Sequence, residues 1–128
     1  MNAARIIFGI IYLGGAATNI AFLLLYGPEL YYAFADRAIF TFYIELWRAV
    51  AVPNMIHFIY LLLFYELTMG LMFVANRKFM RPALVMGIVF CLATAPVMPE
   101  AIYINIPLAL IQGFLLWREC RLRSIQPD

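Results

Sequence analysis

Charge is scarce in this chain: 12% of its 128 residues are charged, against 66% that are hydrophobic. A soluble domain of this size normally carries about a quarter charged residues, so so little charge excludes an ordinary water-exposed surface and puts the chain in a lipid bilayer. Histidine is equally scarce. With His57 alone, one chain cannot supply bis-histidine haem ligation or a histidine-rich metal site. The two cysteines, Cys91 within an apolar run and Cys120 near the C-terminus, form no Cys-x-x-Cys pair, which argues against a thiol-disulfide oxidoreductase. The glycines form no phosphate-binding loop, and neither a nucleophile motif nor a twin-carboxylate pair occurs.

What the chain does have is long apolar runs. About 20 apolar residues are needed for one helical crossing of a hydrocarbon layer roughly 30 Å thick. Four such runs are bounded by charge or proline: 6–26, 55–75, 82–97 and 101–117. The fold class expected is therefore all-α, a polytopic four-helix membrane bundle forming a single domain over 1–128. Gly14 to Ala17 are small enough to form a signal-peptide cleavage site, but the apolar run continues through Leu25 and only Arg5 precedes it, which favours a retained first span. Pro53 and Asn54 suit the start of the second span, where proline lacks an amide and asparagine offers a cap oxygen.

Seven of the nine basic residues, Arg5, Arg77, Lys78, Arg81, Arg118, Arg121 and Arg123, fall at one end of these spans. By the positive-inside rule that end is expected to be cytoplasmic, with both termini in the cytoplasm. Residues 118–128 then read as a cytoplasmic tail. Segment 28–52 belongs to the opposite end. It carries Glu29, Asp36, Arg37, Glu45 and Arg48, yet Tyr31, Tyr32, Phe34, Phe40, Phe42, Tyr43 and Trp47 make it too apolar for a plain loop. Thr41, Glu45 and Arg48 recur at helical spacing opposite Ile39, Phe42, Leu46, Ala49 and Val50, the pattern of an amphipathic segment in the membrane interface.

The candidate functional residues are the polar groups at membrane depth. Glu66 is foremost, because a carboxylate at mid-bilayer costs at least about 2.5 kcal/mol and no Lys or Arg lies within any span to neutralise it. At about 1.5 Å per residue Asn19, Glu66 and Thr94 reach similar depths and are able to meet in one layer. Asn105, Ala109, Gln112, Leu116 and Glu119 follow steps of three or four, so Asn105 and Gln112 share a face expected to look inward. Gly15 before Asn19 and Gly70 after Glu66 would let the first two spans approach closely. Each amide taken alone also reads as interhelical glue, and Glu66 as a protonated structural group. A second candidate site, at the far interface, comprises His57, Asn54 and Trp47, with His57 bonded to Asn54 as the plain alternative to a single axial ligand for a pigment or haem.

Ala4-Arg5-Ile6-Ile7-Phe8-Gly9, Tyr43-Ile44-Glu45-Leu46-Trp47, Val52-Pro53-Asn54 and Phe64-Tyr65-Glu66-Leu67-Thr68-Met69-Gly70, with the basic Asn76-Arg77-Lys78 turn, resemble small DoxX-like membrane proteins. The resemblance covers most of the chain. It implies a four-helix inner-membrane bundle with Glu66 at the glutamate of the family's Glu-x-x-x-Gly segment, and a link to membrane redox complexes in which the small subunit carries no cofactor. Three function classes follow: a non-catalytic accessory subunit of a larger membrane redox or transport complex, lining a quinone or lipid pocket; a small proton-coupled transporter using Glu66; and a lipid- or quinone-modifying enzyme with Glu66 as acid or base. No catalytic residue or metal site is assigned. The partners expected are membrane lipids and protein partners within the membrane or a second copy, with no nucleic acid.

Overall fold

The structure is a computed structural model that describes residues 2–33 and 36–125. Phe34 and the last three residues of the expected tail lie outside the described residues. Within them the chain is helical, with no strand, and four helices are long and apolar enough to cross a membrane. They are α1 (Asn2–Tyr26), α4 (Met55–Ala75), α5 (Met80–Thr94) and α6 (Pro99–Ile125), with short helices α2 (Glu29–Ala33) and α3 (Thr41–Leu46) between the first two spans. The molecule is a polytopic α-helical membrane bundle.

Local chemistry sets the boundaries. α1 stops at Gly27, whose φ of 69° carries the left-handed turn that glycine alone adopts freely, and Gly27 N–H bonds Leu23 O at 3.0 Å. α4 stops at Asn76, which turns extended and accepts the Lys78 amide on Oδ1 at 3.1 Å. Arg5 reaches across from α1 to donate to Phe73 O (3.0 Å) and Val74 O (3.2 Å), placing a cation on the last carbonyls of α4. The start of α4 differs from expectation: Asn54 precedes Met55 but makes no side-chain cap, its amide donating instead to Val50 O at 3.4 Å. The fourth span also outruns its apolar stretch, because helix propensity in 118–125 continues α6 through the arginines to Ile125.

Two helix pairs, α1 with α4 and α5 with α6, make up most of the packing. At the basic end a column of aromatic rings joins the pairs. Phe8 and Tyr12 of α1 stack on Phe73 of α4 with centroids 5.6 and 5.8 Å apart, and Tyr12 meets Phe90 of α5 edge-on at 6.1 Å. Such ring pairs contribute about 0.5 to 1.5 kcal/mol each beyond the area they bury. At the opposite end the pairs part, and segment 36–54 bridges them.

That bridge is not a free interfacial helix. α3 runs into a wide helical turn (Trp47–Ala51) and a tight one (Val52–Asn54) before α4, with Asn54 leaving helical geometry at φ −124°, ψ 35°. Its far end is tied to α5 and α6. Ile39 N–H bonds Pro96 O at 3.0 Å, the Tyr43 hydroxyl donates to Ala93 O, and Arg37 pairs with Glu100 at 2.6 Å. Arg48 pairs with Asp36. Phe42, Leu46 and Val50 are exposed; Phe42 belongs to the apolar side expected to meet lipid, whereas Leu46 and Val50 of that side also edge the cavity described below.

Candidate functional site

The polar residues at membrane depth sort into two clusters and a cavity. In the first cluster Glu66 of α4 is 5% exposed and accepts a hydrogen bond from Asn19 Nδ2 at 2.8 Å. Asn19 Oδ1 in turn accepts from the Tyr31 hydroxyl at 2.7 Å, and Asn19 Nδ2 also reaches Gly15 O at 3.2 Å. Gly15 makes the approach possible: a Cβ there would lie 3.0 Å from Glu66 Oε1. One turn on, Leu13 fills the space above Gly70, where a Cβ would fall 2.7 Å from Leu13 Cγ. Glu66 has no cationic partner among the described residues, so neutral donors alone stabilise whatever charge it carries.

In the second cluster Gln112 of α6 is fully buried, donating through Nε2 to the Tyr12 hydroxyl at 2.7 Å and to Leu108 O at 3.3 Å, with Cys91 Sγ at 3.5 Å. Its Oε1 has no hydrogen-bond donor and lies against Gly87 of α5, where a Cβ would fall on it. Absence of a side chain at Gly87 is what admits Gln112 between the helices. Burial of Ala109, Gln112 and Glu119 confirms the inward face read from their spacing.

The layer proposed for Asn19, Glu66 and Thr94 is only partly formed. Thr94 turns its hydroxyl back onto its own helix, donating to Phe90 O at 2.7 Å, because a threonine near a helix end finds the carbonyl four residues earlier before any partner across the bundle. Gln112 belongs to the Tyr12 cluster rather than to Glu66. At the far interface Trp47 packs edge-on against Phe58 at 4.9 Å, with its indole N–H buried and without an acceptor. Asn54 and His57 are exposed, and the Asn54 amide goes to Val50 O, so among the described residues no side-chain hydrogen bond joins Trp47, Asn54 and His57. Among the described residues no group of three His, Cys, Asp or Glu is arranged to hold a metal ion.

Between the parted helix pairs lies a cavity of about 560 Å³, within the range of small-molecule sites. Tyr43, Trp47 and Val50 of the bridge cover it; Phe58, Leu62 and Tyr65 of α4 form one wall, and Ala93 of α5 and Ala101 of α6 the other. Its floor is Tyr65 stacked on Phe90 at 5.8 Å, with the Tyr65 hydroxyl donating to Met86 O at 2.7 Å. Asn19, Tyr31, Thr94 and Asn105 reach the lining, so the Glu66 cluster touches the cavity through Asn19 and Tyr31. Asn105 makes no side-chain hydrogen bond among the described residues and keeps two donors and an acceptor for an occupant. Comparison with protein-family models, curated proteins and solved structures finds no match to this chain.

Sequence reasoning gave no site role to Tyr12, Cys91 or Gly87. The signal for Tyr12 was present, since Phe8, Tyr12, Gly15 and Asn19 recur at steps of three or four along one face. Glu119 lay on the inward face but past the apolar run. It is 1% exposed, 3.6 Å from Arg77 Nη2, and its carbonyl accepts from Arg81 at 3.4 Å.

The tie between the bridge and α6 is open to a direct test. Glu100→Gln removes the anion that Arg37 meets at 2.6 Å and should lower the protection of amides in segment 39–51 at neutral pH, each read against its intrinsic exchange rate. Unchanged protection in that segment would mean the ion pair does not fasten the bridge.

Proposed function

We propose that this chain is a non-catalytic accessory subunit of a larger membrane redox or transport complex, to which it contributes an apolar pocket for a quinone or a lipid. The observation that carries the reading is the cavity of about 560 Å³, walled by aromatic and aliphatic side chains with a few amides and hydroxyls in its lining. Those groups orient a neutral polar head by hydrogen bonds, while the walls take an apolar body. The resemblance to DoxX-like proteins, whose Glu-x-x-x-Gly segment is matched by Glu66 and Gly70, supports the same reading. The distribution of arginine fits cytoplasmic termini and a cavity in the outer half of the membrane by the positive-inside rule.

Native extraction in mild detergent followed by mass spectrometry of the intact assembly tests this. The expected result is this chain recovered with at least one different membrane protein. Recovery as a free single chain only would count against it.

A second reading is favoured by one specific observation, the hydrogen-bonded path from Glu66 through Asn19 to Tyr31 at the cavity wall. A small proton-coupled transporter would use that path to link occupancy of the cavity to the charge on Glu66. It requires proton release when candidate substrates are added to purified protein, abolished by Glu66→Gln. Silence across many substrates would dispose of it.

A further inference from the structure

The basic end of the bundle holds two kinds of arginine. Arg5 is spent on the carbonyls of Phe73 and Val74, Arg77 faces the Glu119 carboxylate, and Arg81 donates to Glu119 O. Arg118 and Arg121 are different: both are exposed and neither makes an ion pair among the described residues. Glu119, the only acid in that stretch of α6, is turned into the bundle. The outward face of the helix end is thus purely cationic.

That face is also partly apolar. Phe114, Trp117, Leu122 and Ile125 flank Arg118 and Arg121 on one side of α6, and the Arg121 guanidinium lies over the Trp117 ring at 5.3 Å. α6 has 27 residues and so runs about 40 Å, some 10 Å more than the hydrocarbon layer it crosses. The excess carries the two arginines to phosphate depth while Phe114 and Trp117 remain beside acyl chains. A guanidinium pair at that depth, with an indole beside the acyl chains just below it and no anion paired with it among the described residues, matches a phosphodiester attached to a hydrocarbon chain.

We propose that the outward face of α6 at Trp117, Arg118 and Arg121 is a binding site for an anionic phospholipid, the arginines taking the phosphate and Phe114 and Trp117 the first part of an acyl chain. This site is separate from the cavity at the opposite end, and its success or failure leaves the reading of that cavity untouched.

The test uses the full chain carrying Trp47→Phe, so that Trp117 is the only tryptophan, in bilayers of phosphatidylcholine containing brominated phosphatidylglycerol or, in a parallel series, brominated phosphatidylcholine. At equal bromine content the anionic lipid should quench Trp117 at a roughly 25-fold lower mole fraction, as each of the two arginines adds about fivefold in preference. Arg118→Gln with Arg121→Gln should erase the preference while leaving quenching by phosphatidylcholine intact, which shows the helix still in place. Arg77→Gln should leave the preference unchanged. Equal quenching by the two lipids, a preference that survives the double substitution, or a Trp117 that neither lipid reaches would overturn the proposal. Loss of the preference on adding soluble glycerol phosphate would also overturn it, as the site would then be one for free phosphate.

Discussion

Replacing Gly87 with alanine should destabilise the bundle by about 1 to 3 kcal/mol, the usual cost of overpacking a closed contact. A Cβ at this position would fall on the Gln112 carboxamide and within 2.8 Å of the Tyr12 hydroxyl. Gln112 cannot simply swing away. It is fully buried and held by Tyr12 and Leu108, so moving it forfeits the 2.7 Å bond to Tyr12 and leaves both groups short of partners in a dry interior. Either α5 and α6 separate or the polar cluster breaks. The measurement is unfolding in mixed detergent micelles, comparing Gly87→Ala, Gln112→Ala and the double variant. Because truncating Gln112 empties the space that the new methyl needs, the double variant should be more stable than the sum of the single losses by about 1 kcal/mol or more. Strict additivity would show that Gly87 and Gln112 do not share one contact.

Ala93→Trp should empty the cavity of its occupant with little effect on folding. Ala93 lines the cavity with its side chain exposed to that space, and its carbonyl, which the substitution leaves in place, receives the Tyr43 hydroxyl. An indole there fills volume an occupant would need and buries no existing core. Changes at exposed positions of this kind stay within about 0.5 kcal/mol in stability, whereas displacing a bound molecule should lower recovery by at least about tenfold, the equivalent of roughly 1.4 kcal/mol. The measurement is extraction of quinones and lipids from natively purified protein, per mole of chain, for wild type and variant. Asn105→Leu should lower the same recovery by less, since it removes a polar contact and leaves the walls standing. Equal recovery from all three would place the extracted molecules in the general lipid shell.

How much of this was legible beforehand depends on the kind of residue. The four spans follow from apolar length alone, because a bilayer penalises unpaired backbone so heavily that each such run must form a helix. The meeting of Asn19 with Glu66 was readable from depth and from the adjacent glycines. Thr94 misled because depth does not fix direction, and a threonine hydroxyl is served by its own helix. Tyr12 was hidden by its ring, which counts as apolar in a hydropathy pattern yet carries the hydroxyl that holds Gln112. The cavity was out of reach entirely. It exists because segment 36–54 is tied to Pro96, Ala93 and Glu100, contacts 50 or more residues apart in sequence whose geometry no local pattern encodes. Length of the fourth helix was underestimated for a simpler reason: the end of an apolar run marks the membrane surface, and a helix has no obligation to stop there.

The two polar clusters have different consequences. Gln112, Tyr12 and Cys91 are closed off among α1, α5 and α6, as suits a contact that fixes helix register. Glu66 and Asn19 begin a hydrogen-bonded path that ends at the cavity wall on Tyr31, and under the proposed readings that path is what would connect an occupant of the cavity to the charge on Glu66. That connection is why the accessory-subunit and transporter readings share one site and differ in whether the proton moves.

The most direct measurement is an experimental structure of the protein extracted with its native lipids and partners. The account predicts density for one elongated apolar molecule between the bridge and spans α4, α5 and α6, its polar head near Asn105 and Thr94, with another protein chain packed against the bundle. A bridge collapsed onto Tyr65 and Phe90 with the cavity closed, in a chain surrounded by lipid alone, would contradict it.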